Sequence, residues 1–127
     1  MKYLKYLKES IISDKIDRLE DLIYDLKDHG LIVDVIKNNP SSFLLHDGPD
    51  YITSFTNHIW EDGNKYVFII IYKIKNKQLE KFNDDDLLII EEFRKTLRSY
   101  KLDRSIWGGD GFYIFSIPKR DLYNSNL

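Results

Sequence analysis

The sequence has no cysteine and no alanine, and it has only six glycines and three prolines in 127 residues. Without cysteine, a disulfide, a thiolate nucleophile and a zinc–sulfur site are excluded. Without alanine, the helices lack the residue with the highest intrinsic helix propensity, so packing has to hold them. Isoleucine, lysine, tyrosine and asparagine are abundant instead, and their codons are rich in A and T. The composition therefore indicates an A+T-rich genome.

The sequence also has no large excess of charge of either sign, since it contains 19 basic and 21 acidic residues and its net charge is −2. A protein that binds nucleic acid by neutralising phosphates is expected to be visibly basic, so this balance argues against nucleic acid as a partner. The longest apolar run, residues 66–72, is too short to cross a membrane, and the start contains no signal-peptide pattern. We therefore expect a cytosolic protein, or a component of a particle assembled in the cytosol, with no membrane contact and no cofactor.

Two helices are predicted from apolar spacing. Ile16, Leu19, Ile23 and Leu26 recur at helical intervals and predict a helix over residues 13–29, which His29-Gly30 ends. Leu4, Leu7 and Ile11 have the same spacing, but they are offset by one residue, so residues 1–10 are predicted to form a separate N-terminal helical segment. Residues 83–86 suit the start of a second helix over 84–100. Its predicted buried stripe is Leu87, Ile90, Phe93, Leu97 and Tyr100.

Short β-branched and aromatic runs predict the strands. Residues 31–37 form one strand, residues 43–46 a brief one, and residues 51–60 and 65–74 a hairpin that turns at Asp62-Gly63. Residues 112–117 form the last strand, and the polar tail 119–127 is expected to be loose. The prediction is a single α+β domain over residues 1–127, with a mainly antiparallel sheet of four to five strands and two helices packed on one face. The predicted core is Ile16, Leu19, Ile23, Leu26, Val67, Ile69, Ile71, Phe93 and Leu97.

The strand at 65–74 is apolar on both faces. Val67, Ile69 and Ile71 alternate with Tyr66, Phe68, Ile70 and Tyr72. Two helices can cover only one face, so the face of Tyr66, Phe68 and Tyr72 needs another cover. The candidates are the segment 38–60, the N-terminal helix, a second copy of the chain, and an external protein. We predict that a second copy of the chain or an external protein covers this face. Tyr66, Phe68 and Tyr72 are then the partner-binding residues, and Trp60 and Trp107 act as interface anchors.

Few residues suggest chemistry. His46 and Asp47 share one turn and His58 follows on the next strand, so they are the candidates for a metal site, although their spacing matches no known ligand pattern. The carboxylates at 84–86 suit either Mg²⁺ or a helix start, and capping is the simpler explanation. Residues 108–111 precede a strand rather than a helix, which is typical of a turn and not of a phosphate loop. No catalytic residues emerge.

The beginning of the chain carries a resemblance. Residues 1–10, MKYLKYLKES, and residues 16–35, IDRLEDLIYDLKDHGLIVDV, combine a lysine and aromatic start, an acidic amphipathic helix, a glycine stop and an aliphatic strand. This pattern resembles small uncharacterised proteins of large tailed bacteriophages. The resemblance covers residues 1–35, implies a phage origin, and carries no activity or functional residues with it.

The absence of a catalytic pattern and the surplus of aromatic residues on one strand favour binding over catalysis. We expect a non-enzymatic phage protein that binds another protein or a second copy of itself, in the first case inhibiting a host defence or a host enzyme. The alternatives are a structural or accessory component of the virion, and a small ligand-binding protein or metal-dependent enzyme with a cleft that the sequence does not reveal.

Overall fold

The computed structural model describes residues 2–37, 65–108 and 111–127, and in this part of the chain three helices accompany an antiparallel sheet. The elements in chain order are α1 (Lys2–Asp28), β1 (Ile32–Ile36), β2 (Tyr66–Tyr72), β3 (Ile74–Lys75), β4 (Gln78–Leu79), α2 (Asp84–Ser99), β5 (Ser105–Gly108), β6 (Phe112–Pro118) and α3 (Lys119–Asn124). The predicted α+β class with an antiparallel sheet is confirmed.

Strand β2 lies in the middle of the sheet. It pairs antiparallel with β1 on one edge and with β6 on the other, so that Ile69 lies opposite both Val35 and Phe115. The short strand β5 pairs with the free edge of β6. A strand has only two edges, and both edges of β2 are occupied over residues 68–72. The predicted hairpin is therefore wrong over residues 68–72 of the strand. Residues 43–46, 51–60 and the turn at Asp62-Gly63 lie outside the described residues.

Helix α1 is one continuous helix of 27 residues, and the predicted separate segment at 1–10 is wrong. The chain has no proline or glycine between residues 2 and 28, so nothing in the backbone interrupts the helix. The predicted stop is confirmed. Gly30 has a φ of 103°, its N–H donates to the Lys27 carbonyl, and the Leu31 N–H donates to the Leu26 carbonyl, as in a Schellman motif.

The helices and one face of the sheet share a single apolar core. All nine predicted core residues lie in it, from Ile16 on α1 to Leu97 on α2. Helix α2 departs from its predicted stripe at one position, because Leu87 is exposed and the core-facing position is taken by Asp86. The buried residues of α2 are thus Asp86, Ile90, Phe93 and Leu97, which repeat at intervals of four, three and four.

The C-terminal residues were predicted to be loose, and this is wrong. Residues 119–124 form α3, whose Leu122 is fully buried in the helix-side core, and Leu127 is buried as well. The Lys15 ammonium donates to the main-chain oxygens of Ser125 and Leu127, and the Arg18 guanidinium also donates to Leu127. Two apolar anchors and these bonds from α1 hold a segment whose polar composition alone predicts disorder.

Candidate functional site

The aromatic face of β2 forms a second apolar layer on the side of the sheet away from the helix core. Phe68 and Tyr72 are only 2% and 5% exposed, and Tyr66 is half-buried with its ring stacked 6.0 Å from that of Phe68. The buried members of this layer are Ile36, Phe68, Ile70, Tyr72, Phe112 and Ile114. Ile74 and Leu79, on a hairpin that turns at two positive-φ residues, Asn76 and Lys77, pack against it.

This burial bears directly on the partner-binding residues predicted from the sequence. Phe68 and Tyr72 are covered within a single copy of the chain, and the Tyr72 hydroxyl donates a 2.7 Å hydrogen bond to Asp34 on β1. A partner could contact these two side chains only after displacing atoms of the same chain. Trp60 lies outside the described residues, and of Trp107 only the backbone is described, opposite Ile114 in the β5–β6 ladder.

The predicted metal candidates His46, Asp47 and His58 also lie outside the described residues. Within residues 2–37, 65–108 and 111–127, no group of three or more histidine, aspartate or glutamate side chains could hold a metal ion. Two other features stand out in the described residues, a buried charged cluster around Asp86 and an exposed apolar end of α1.

The buried charged cluster is centred on Asp86, the one buried charged residue in the described part of the chain. One carboxylate oxygen accepts from His29 Nε2 at 3.0 Å, and the other accepts from Lys73 Nζ at 2.9 Å and from the Asn83 N–H at 2.9 Å. The Asn83 side chain accepts from the Asp86 N–H, which completes a capping box. Both oxygens of Asp86 are thus engaged in joining the end of α1, the end of β2 and the start of α2.

The protonation of this cluster follows from its contacts. Burial by itself raises the pKa of Asp86, but the hydrogen bond from Lys73, the Asn83 N–H, the positive charge of Lys73 and the hydrogen bond from His29 together hold that pKa below its usual value. The hydrogen bond to Asp86 raises the pKa of Lys73, which partial desolvation opposes. The pair is therefore charged at neutral pH, and it serves as an ionic link rather than as an acid or a base.

We expect this link to produce a specific loss of stability in acid. A carboxylate whose folded-state pKa is lowered contributes stability that is present above its unfolded pKa, about 4, and is lost as pH falls through the folded value. The free energy of unfolding of the wild type should therefore fall below about pH 4 more steeply than that of Asp86→Asn. Urea unfolding between pH 2 and 7 measures both. The matched control is Asp85→Asn on the same helical turn, and a pH profile of Asp86→Asn as steep as that of the wild type would contradict the expectation.

The second feature is the N-terminal segment of α1, defined here as residues 2–8. Its large apolar side chains are exposed: Tyr3 by 75%, Tyr6 by 73%, Leu4 by 57% and Leu7 by 44%. Four such side chains within two helical turns form a contiguous apolar surface, whereas scattered single apolar residues are ordinary on a protein surface.

The one-residue offset in the sequence is the signal for this surface. A helix advances by about 100° per residue, so the sector of Leu4, Leu7 and Ile11 is rotated by about 110° from the core stripe that begins at Ile16. Because α1 is continuous, the two sectors cannot both face the sheet. The offset is visible in the sequence, where it was interpreted as a break between two helices. In a continuous helix it has a different consequence, which is that the apolar side chains of the first turns point away from the core.

The charges of α1 oppose its own dipole. Lys2 and Lys5 lie in the first turn, which has no acidic residue, and in the last turn Asp25 and Asp28 outnumber Lys27. The helix dipole favours the reverse arrangement by roughly 0.3–1 kcal/mol for each charge. Sequences depart from such local preferences most often at functional sites. The unfavourable lysines therefore mark the same segment, residues 2–8, as a candidate site.

No protein family model, curated protein or solved structure matches this chain. Among the described helices, none is long and apolar enough to cross a membrane.

Proposed function

We propose that this is a non-enzymatic, phage-encoded protein that acts by binding another protein, and that the N-terminal segment of α1 is its binding surface. The observation that carries the proposal is the exposure of Tyr3, Leu4, Tyr6 and Leu7 on two successive turns. The phage origin is supported by the resemblance of residues 1–35 and by the A+T-rich composition. A host defence protein or host enzyme in the cytoplasm is the proposed target.

The spacing of these side chains suits the insertion of a helix into a groove. Leu4, Leu7 and Ile11 follow the i, i+3, i+7 pattern by which amphipathic helices bind apolar grooves. Tyrosine adds a large apolar body with a polar tip, which is typical of interface residues. The exposed face thus has the anchors that a protein partner needs.

A lipid surface is a poorer match for the same face. Along α1, the sector of Tyr3 and Leu7 continues into Asp14, Asp17 and Asp21, which are all exposed. The helix is continuous, so a flat bilayer in contact with the first turns would also lie against these carboxylates. Membranes are anionic at their surface and disfavour such a contact. A protein groove that ends after two or three turns avoids it.

The proposal is tested by capture of the tagged protein from infected bacterial cells. We expect the wild type to retain a partner protein in stoichiometric amount, and Leu4→Asp combined with Leu7→Asp to lose it, because charges replace the two central anchors. Tyr24→Asp is the matched control, since it introduces the same charge on α1 at a side chain that is 67% exposed and lies outside the segment. Identical protein bands from the wild type and the double variant, with both folded by circular dichroism, would refute this function.

A further inference from the structure

We infer that Lys119 is a covalent ligand site, at which the side-chain amine forms a reversible imine with a small uncharged aldehyde or ketone in the cavity between α1 and the start of α3. The inference goes beyond the proposed function, because no residue that lines this cavity belongs to the N-terminal segment of α1.

The cavity has a volume of about 420 Å³. That volume lies within the range of about 300–1,000 Å³ that small-molecule sites occupy. Ile12 and Ile16 give the cavity an apolar wall on α1, and Lys119 lines it from the first position of α3. The Lys119 N–H donates to the Lys65 carbonyl at 2.8 Å, which anchors the backbone of this residue beside β2. Lys119 therefore lines an open space large enough for a small molecule.

Lys119 is the exception among the half-buried lysines of the described residues. The other three each lie within 3.0 Å of an oxygen, namely Lys15 at the main chain of Leu127, Lys37 at Glu20 and Lys73 at Asp86. Over residues 2–37, 65–108 and 111–127, no hydrogen bond or ion pair is made by the Lys119 amine. A partly buried ammonium without a partner is unfavourable, so this environment favours the neutral amine.

The protonation of Lys119 agrees with its contacts. Burial lowers the pKa of Lys119 below the ordinary value of a lysine, and the negative charge of Glu9 opposes this effect only in part. A larger fraction of the amine is therefore neutral at pH 7 than in a fully solvated lysine. Only the neutral amine has the lone pair that attacks a carbonyl carbon, and desolvated lysines are the ones that form imines in proteins.

Imine formation here needs no further reactant. The Lys119 nitrogen adds to the carbonyl carbon while the carbon–oxygen π bond breaks, and transfer of a proton from nitrogen to oxygen gives a carbinolamine. Its hydroxyl group then takes a proton from solvent and leaves as water, and the nitrogen loses its remaining proton as the carbon–nitrogen double bond forms. Water reverses both steps, so the ligand is held reversibly and nothing is oxidised or reduced.

The charges of the cavity favour an uncharged ligand over an anionic one. Glu9 and Asp17 contribute two carboxylates to its lining. The other cation of the lining, Lys37, lies 2.7 Å from Glu20 and is therefore already neutralised. With the Lys119 amine neutral, the lining carries a net negative charge that repels an oxo acid. The two isoleucines suit an aliphatic chain, so the ligand class is a small aliphatic aldehyde or ketone.

The test is reductive labelling of the full-length chain with butanal and cyanoborohydride at pH 7, followed by peptide mass spectrometry. Cyanoborohydride reduces an imine to a stable secondary amine, so an N-butyl group marks each lysine that has reacted. Lys119 should be labelled roughly fivefold faster than the exposed Lys81 and Lys95, because more of its amine is neutral and the cavity holds the aldehyde. Glyoxylate, an anionic oxo acid, should show a smaller preference for Lys119.

Two tryptophan variants separate the effect of the cavity from that of the amine. Ser13 lines the cavity, so Ser13→Trp places a large ring in it and should remove most of the preference of butanal for Lys119. Ser10→Trp makes the same change one turn earlier on α1, outside the cavity lining, and should leave the preference unchanged. Both serines are exposed, and circular dichroism confirms that both variants fold.

Equal labelling of Lys119, Lys81 and Lys95 by butanal would overturn the inference. So would a preference for Lys119 that persists in Ser13→Trp, because the reactivity would then not depend on the cavity. An equal preference with glyoxylate would overturn the assignment of an uncharged ligand.

Discussion

Replacing Phe93 with alanine is expected to lower the free energy of unfolding by about 4 kcal/mol, as large-to-small changes of a buried phenylalanine do. Phe93 is buried on α2 among side chains from α1, the sheet and α3, and its ring meets that of Phe115 edge-on with centroids 5.5 Å apart. The variant loses this aromatic contact and leaves a cavity between α2 and the sheet. Urea unfolding at neutral pH measures the loss.

Leu88→Ala on the same helix is the control for Phe93→Ala, because Leu88 is mostly exposed and should cost less than about 0.5 kcal/mol. Equal losses in the two variants would show that the helix-side cluster is not the stabilising core.

Replacing Phe68 with alanine is expected to cost about 3–4 kcal/mol, although Phe68 lies on the opposite face of the sheet. The side chain belongs to the second apolar layer, beside Ile36 on β1, and the whole layer is buried within one copy. Because the cover belongs to the same chain, the free energy of unfolding lost in the variant should not depend on protein concentration.

The dependence of stability on protein concentration distinguishes two explanations for the burial of the aromatic face of β2, which are cover by the same chain and cover by a second copy. If a second copy covered Phe68, the wild-type stability would rise with protein concentration, as it does for any ligand that binds the folded state. Unfolding curves of the wild type at 1 and 50 μM distinguish the two explanations. Tyr66→Ala, at the half-buried start of β2, is the control and should lose less stability.

The predictions that the structure confirmed depended on local spacing, although spacing also gave two wrong ones, the separate segment at residues 1–10 and the burial of Leu87. The period of α1 from Ile16 onwards placed four side chains in the core, and the alternation along β2 separated Ile69 from Phe68 correctly. The glycine stop at residue 30 also depends only on its neighbours. The repeat of a helix or a strand determines the face on which each side chain lies, independently of the element that packs against that face.

Predictions that depended on distant neighbours failed. Nothing in residues 65–74 indicates that β1 and β6, rather than residues 51–60, occupy both edges of β2. Similarly, the sequence at 84–86 indicates a helix start but not that His29 and Lys73 meet Asp86. The sequence of a run of carboxylates is the same whether its side chains are solvated or buried in an ion pair, because the residues that pair with them come from other helices and strands.

By itself, the sequence determined the α+β class, the helix-side core, the glycine stop and the absence of cysteine chemistry, since all of these follow from residue type and short-range period. Only the tertiary structure decided that the aromatic face of β2 is covered, that residues 119–124 form a docked helix, and that the first turns of α1 are exposed. The physical reason is that burial depends on which surfaces meet. The same pattern of tyrosine and leucine is core where another element covers it and is exposed to solvent on the first turns of α1, where none of the described residues buries it.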